Sequence, residues 1–130
     1  MPKPVILCVD DEKVILESLK IQIKQAFHDQ YLYEAAESAD EALEILEDLQ
    51  GNDVPILVIV SDWLMPGMKG DEFLIKVHEQ YPHIVKIMLT GQADESAIEK
   101  AINEANLFSC LSKPWDSSTL VNTIKSGLSE

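Results

Sequence analysis

A doubly wound α/β domain, with a parallel sheet covered by helices on both faces, is the fold class this sequence predicts. Three observations carry that prediction. Five short apolar segments alternate with five longer stretches of helical periodicity, the pattern of βα repeats. The third apolar segment holds Ile56-Leu57-Val58-Ile59-Val60 without a polar interruption, as a strand covered on both sides requires. A chain of 130 residues with 46% hydrophobic content supplies one core and is too short for two ordinary domains.

The first strand is expected at Val5–Val9, directly after Met1-Pro2-Lys3-Pro4. Helix one, over Glu12–Phe27, repeats apolar residues at Ile15, Leu16, Leu19, Ile23 and Phe27, which is helical spacing. Strand two is expected at Tyr31–Ala36, and Ser38 with Glu41 forms a capping-box pattern opening helix two over Ala39–Leu49. Strand three at Val54–Val60 leads to helix three at Gly70–Gln80, and strand four at Ile84–Leu89 to helix four at Asp94–Ala105. Strand five at Leu107–Leu111 and helix five at Asp116–Leu128 complete the series, with Asp94 and Asp116 at N-cap positions. Right-handed crossovers restrict five such units to few arrangements. The flavodoxin-like (βα)5 order 2-1-3-4-5 fits, and its ligand crevice lies at the carboxyl ends of strands one and three. No repeat, low-complexity tract or linker interrupts the chain, so residues 1–130 are expected to form a single domain.

The formal net charge of −13, from 23 acidic against 10 basic residues, repels the phosphates of nucleic acid and an anionic membrane surface. Neither direct nucleic-acid binding nor membrane association is expected. The apolar run at residues 5–9 is far too short for a transmembrane span or a signal peptide, which points to a cytoplasmic location. Cys8 and Cys110 stand alone in different strands, about 14 Å apart at ordinary strand spacing, too far for a disulfide. His28, His78 and His83 share no metal-binding spacing and read as surface residues.

The predicted topology gathers Asp10, Asp11 and Asp62 at one edge of the sheet. Each aspartate alone is ordinary at a strand end or turn. Together they would repel one another and raise each other's pKa unless a cation sits among them, and a hard, oxygen-preferring ion such as Mg²⁺ suits such a group. Lys113 follows strand five and precedes Pro114, which biases it to extended backbone at the same edge, although a solvated loop lysine is the plain alternative. Thr90 occupies the matching place after strand four, where its hydroxyl could donate to an oxyanion or bond locally.

Asp10-Asp11, the stretch Val60-Ser61-Asp62-Trp63-Leu64-Met65-Pro66-Gly67-Met68-Lys69-Gly70, Thr90-Gly91 and Lys113-Pro114 resemble the receiver family of two-component response regulators. The resemblance spans nearly the whole chain. It implies that Asp62 is the nucleophile that takes a phosphoryl group from a phosphohistidine of a sensor histidine kinase or histidine phosphotransfer protein. It implies that Asp11 and Asp62 ligate Mg²⁺ directly, Asp10 mainly through water, and Leu64 through its backbone carbonyl. Lys113 and Thr90 would contact the phosphoryl oxygens, and the surface around helix four, strand five and helix five would carry the readout. A downstream protein or an attached output domain would receive it, with a homodimer through the same face as one arrangement, and no output domain is expected in this chain. Such a domain is a signalling switch that promotes its own phosphorylation and dephosphorylation rather than an enzyme acting on a separate substrate. A haloacid-dehalogenase-type phosphatase is the competing class, but Asp10-Asp11-Glu12-Lys13 departs from its DxDx motif.

Several positions depart from the family pattern. Cys110 stands where an aromatic often precedes the active-site lysine, and Phe108, two residues earlier, reads as a core residue on the same strand face. Leu64 and Gln92 occupy the positions that flank the phosphoryl group, and an apolar Leu64 is expected to slow hydrolysis because it cannot position water. Trp115 reads equally as a partner anchor or as packing at the start of helix five. Helix four carries Ala97, Ile98, Ala101, Ile102 and Ala105, enough for a buried stripe with apolar surface left over.

Overall fold

The computed structural model describes residues 3–91 and 95–129. Five strands, β1 (Val5–Val9), β2 (Leu32–Ala36), β3 (Ile56–Asp62), β4 (Val85–Thr90) and β5 (Ser109–Ser112), form one parallel sheet in the order β2-β1-β3-β4-β5. They alternate with α1 (Lys13–Phe27), α2 (Ala39–Gly51), α3 (Gly70–Gln80), α4 (Glu95–Ala105) and α5 (Ser117–Leu128). The sequence-predicted class and strand order are therefore those observed.

Two hydrophobic clusters, one on each face of the sheet, hold the layers together. Leu16, Leu19, Ile23 and Phe27 of α1 join Leu120 and Ile124 of α5 over Ile6, Cys8, Val58, Val60, Ile87 and Leu89. On the other face, residues of α2, α3 and α4 such as Leu46, Phe73, Leu74 and Ala101 cover Val5, Leu7, Val9, Ile59 and Met88. Alternate residues of the central strands thus serve opposite clusters, which is why β1 is buried throughout.

The caps follow local chemistry. Ser38 Oγ accepts from the Glu41 amide at 3.1 Å, while the Glu41 carboxylate accepts from the Glu37 amide at 3.0 Å. Asp116 caps α5 by accepting from the Thr119 amide at 3.2 Å. The N-cap expected at Asp94 lies outside the described residues.

The strand limits shift in ways that matter for function. Strand β3 runs two residues beyond its apolar stretch, because Ser61 and Asp62 continue the ladder opposite Val9 and Leu89. Thr90 likewise closes β4, paired with Ser112, so both residues belong to the sheet rather than to the loops after it. Strand β2 starts one residue later than expected, since His28–Gln30 form a 3₁₀ turn and the Tyr31 ring meets Phe27 edge-on at 5.5 Å. Strand β5 starts at Ser109, so Phe108 precedes it and packs with the α1–α5 cluster, whereas Cys110 packs with the opposite one. Phe108 is partly buried against the α1–α5 cluster rather than fully in the core, and the two do not share a face, because the alternation rule applies only within the strand. Cys8 and Cys110 are both free thiols. Among the described residues no helix is long and apolar enough to cross a membrane.

Candidate functional site

The carboxyl ends of β1, β3, β4 and β5 converge on one crevice of about 530 Å³, lined by Asp11, Glu12, Asp62, Leu64, Met65, Pro66, Thr90, Gly91 and Lys113. Parallel pairing in register places Asp62 beside Leu89 and brings Thr90 level with Ser112, one residue before Lys113. The backbone completes the alignment: the Lys113 amide donates to the Thr90 carbonyl at 3.0 Å, and the Trp63 amide donates to the Leu89 carbonyl at 2.9 Å.

Carboxylate oxygens of Asp10, Asp11 and Asp62 lie within 4.8 Å of one another. Asp10 is fully buried, and its side chain accepts from the Glu12 amide at 2.9 Å, which holds the turn into α1. The Lys113 ammonium bridges the two buried carboxylates, 2.9 Å from Asp10 Oδ2 and 3.0 Å from Asp62 Oδ1. Burial raises the Asp62 carboxyl above its ordinary range, the Lys113 hydrogen bond opposes that rise, and the charges of Asp10 and Asp11 add to it. Burial works against the Lys113 ammonium, but its bonds to Asp10 and Asp62 prevail and raise its pKa.

Among the described residues, one ammonium thus serves two of the three carboxylates, and the cluster keeps a net negative charge. Their donor chemistry, all oxygen and clustered around an open crevice, fits a hard divalent cation, with Asp11 facing solvent as an entry side. The Leu64 side chain is 53% exposed and stands on the rim, so it presents hydrocarbon to the crevice. Gln92, the other flanking position, lies outside the described residues.

Every other predicted site residue, Asp10, Asp11, Asp62, Leu64, Thr90 and Lys113, is brought to this edge. Trp115 packs against the α1–α5 cluster and its indole donates to Gln22 Oε1 at 2.7 Å, which favours its packing role. The α4 stripe buries Ala101 and Ala105 and leaves Ile102 52% exposed. Two features were not foreseen. Trp63 Nε1 donates to the buried Asp71 at 3.1 Å, a pairing eight residues apart that matches no local motif. Lys86 is wholly buried in β4, where its alternating position is one that apolar side chains normally fill.

The site is thus a parallel five-stranded sheet whose strand ends carry three aspartates, a threonine and a bridging lysine around one crevice. The chain belongs to the response regulator receiver domain family, whose pattern matches residues 6–125. It is similar to the hydrogenase transcriptional regulatory protein HoxA of Cupriavidus necator, 34% identical over 92% of this chain but only 23% of that protein. It is 30% identical to chemotaxis protein CheY-3 of Vibrio cholerae, covering 88% of this chain and 84% of that one. The signal receiver domain of an HD domain-containing protein from Pseudomonas fluorescens superposes with a TM-score of 0.86 at 34% identity, covering 98% and 95% of the two chains. A CheY-like receiver from Methanospirillum hungatei gives 0.85 at 31% identity, covering 98% and 94%. The chain is thus a receiver domain of the two-component response-regulator kind.

Proposed function

We propose that this domain is a phosphoacceptor switch in which Asp62 takes a phosphoryl group from a phosphohistidine of a sensor kinase or phosphotransfer protein. The observation that carries the reading is Lys113 held between Asp10 and Asp62, beside Asp11. An Asp62 oxygen attacks phosphorus, the bond to the donor imidazole nitrogen breaks, and an aspartyl phosphate results. The attacking group needs no base, because ionised Asp62 already carries the electron pair. Lys113 is within reach of the acceptor carboxylate and can follow the charge onto a phosphoryl oxygen, and Thr90 at the end of β4 supplies a hydroxyl to another. Asp11, Asp62, Asp10 and the Leu64 carbonyl would hold Mg²⁺, which when bound supplies further positive charge beside the transferred group.

Movement of Thr90 and Lys113 toward the phosphoryl group would shift the population of states at α4, β5 and α5, since β5 ends and α4 and α5 begin at the same edge. A downstream protein or an attached output domain would read that surface, and Ile102 offers apolar area for it or for a second copy of the chain. The reading implies one receiver domain over residues 1–130, working in the cytoplasm. Incubation with Mg²⁺ and acetyl phosphate, followed by mass spectrometry, tests it. A base-labile phosphate on the wild type and none on Asp62→Asn is expected; no wild-type adduct, or an undiminished one on the variant, refutes it.

A further inference from the structure

The segment joining β3 to α3, residues 63–70, is closed on itself three times. The Gly70 amide donates to the Trp63 carbonyl at 2.7 Å. The Trp63 indole donates to Asp71 Oδ1 at 3.1 Å, and the Lys69 ammonium lies 5.0 Å from the centre of the Trp63 ring. Gly70 packs so tightly that a Cβ there would press on the Asp62 carbonyl. The start of α3 therefore abuts the peptide of the acceptor residue itself, and Leu64 hangs inside the closed segment.

Asp71 lies in the first turn of α3, where the helix dipole favours a carboxylate. That accounts for an acid at the position but not for its burial, at 7% exposure, nor for its aim at the indole beside Asp62. We infer that Asp71 is a positioning residue: by holding the Trp63 indole it fixes the path of residues 63–70, and with it the Leu64 carbonyl beside Asp62. The inference rests on the phosphoacceptor reading, because the Leu64 carbonyl matters only as a metal ligand. Outer partners of this kind commonly set metal affinity, since a ligand free to wander spends less time in place.

Wild type, Asp71→Ala, Asp71→Asn and Trp63→Phe are compared by calorimetric titration with Mg²⁺ and by amide hydrogen exchange over residues 64–69. Urea unfolding confirms that each variant folds. Asp71→Ala is expected to weaken Mg²⁺ binding about tenfold and to speed exchange in the segment. Asp71→Asn, whose amide oxygen still accepts from the indole, should return to near wild-type values, which a charge or dipole effect would not allow. If Asp71→Ala does not fold, Trp63→Phe, which keeps a six-membered aromatic ring but loses the N–H donor with the rest of the indole, should show the same weakening. A wild type that takes up no Mg²⁺ overturns the phosphoacceptor reading together with this inference. A wild type that binds Mg²⁺ while Asp71→Ala and Trp63→Phe bind equally well overturns the inference alone.

Discussion

Replacing Lys86 with methionine probes an electrostatic penalty in the core. The side chain is 1% exposed, and its ammonium has a single hydrogen bond described, to the Ile84 carbonyl at 2.7 Å. Burial lowers its pKa from 10.5 to about 8. At about 1.4 kcal/mol per unit, keeping Lys86 charged inside the fold costs about 3 kcal/mol at neutral pH. The sign follows from proton uptake: between about pH 8 and 10.5 the unfolded chain holds the proton that the folded one has released, so stability rises with pH. Methionine fills a similar volume without the charge, but leaves the Ile84 carbonyl without its donor, a loss of about 1 kcal/mol. Lys86→Met should therefore gain about 2 kcal/mol at about pH 7, and the gain should fade as pH rises toward 10. The buried Cys8 thiol, pushed up to about 12, works oppositely above pH 9 by favouring the unfolded thiolate, but it is common to both proteins and cancels. Urea unfolding followed by tryptophan fluorescence at several pH values measures the difference, the domain being small enough for two-state treatment. A variant less stable at neutral pH, or a difference that does not change with pH, would refute the reasoning.

Other outcomes follow from the crevice. Leu64→Asn should shorten the lifetime of the aspartyl phosphate several-fold, because an amide can orient water where Leu64 cannot; an unchanged decay of radiolabelled phosphate counts against it. Mg²⁺ at about a hundred times its dissociation constant should stabilise the fold by about 2.7 kcal/mol in thermal melts, and Asp11→Ala should abolish most of that gain. Asp62→Asn removes a carboxyl whose raised pKa gives the fold extra stability at acid pH that is lost as pH rises through it, so the variant's acid profile should be flatter in urea titrations. Gly70→Ala places a methyl 2.8 Å from Trp63 Cα, and should cost about 2 kcal/mol in the same titrations and slow phosphorylation by acetyl phosphate.

The strand order and the residues at its edge were legible because each landmark follows an apolar run, so a correct topology brings Asp10, Asp11, Asp62, Thr90 and Lys113 together. The ends of β3 and β4 were not, since polar residues at a strand end look like loop until their ladder partners are known. The burial of Lys86 was not legible, because composition cannot tell which polar side chain the sheet will cover. The indole bond to Asp71 depends on how residues 63–70 fold back, which no periodicity encodes.

Burial in the sheet falls from its centre to the β5 side. Strands β1 and β3 are buried almost throughout, whereas β5 has only four residues, none of them fully buried, and no strand beyond it among the described residues. The ammonium that ties Asp10 to Asp62 hangs from this less buried margin, while the carboxylates it joins stand on the buried middle. A change of charge at Asp62 would therefore bear, through Lys113, on a part of the sheet with little packing to lose. The lysine end of this ion pair is thus its less tightly packed end.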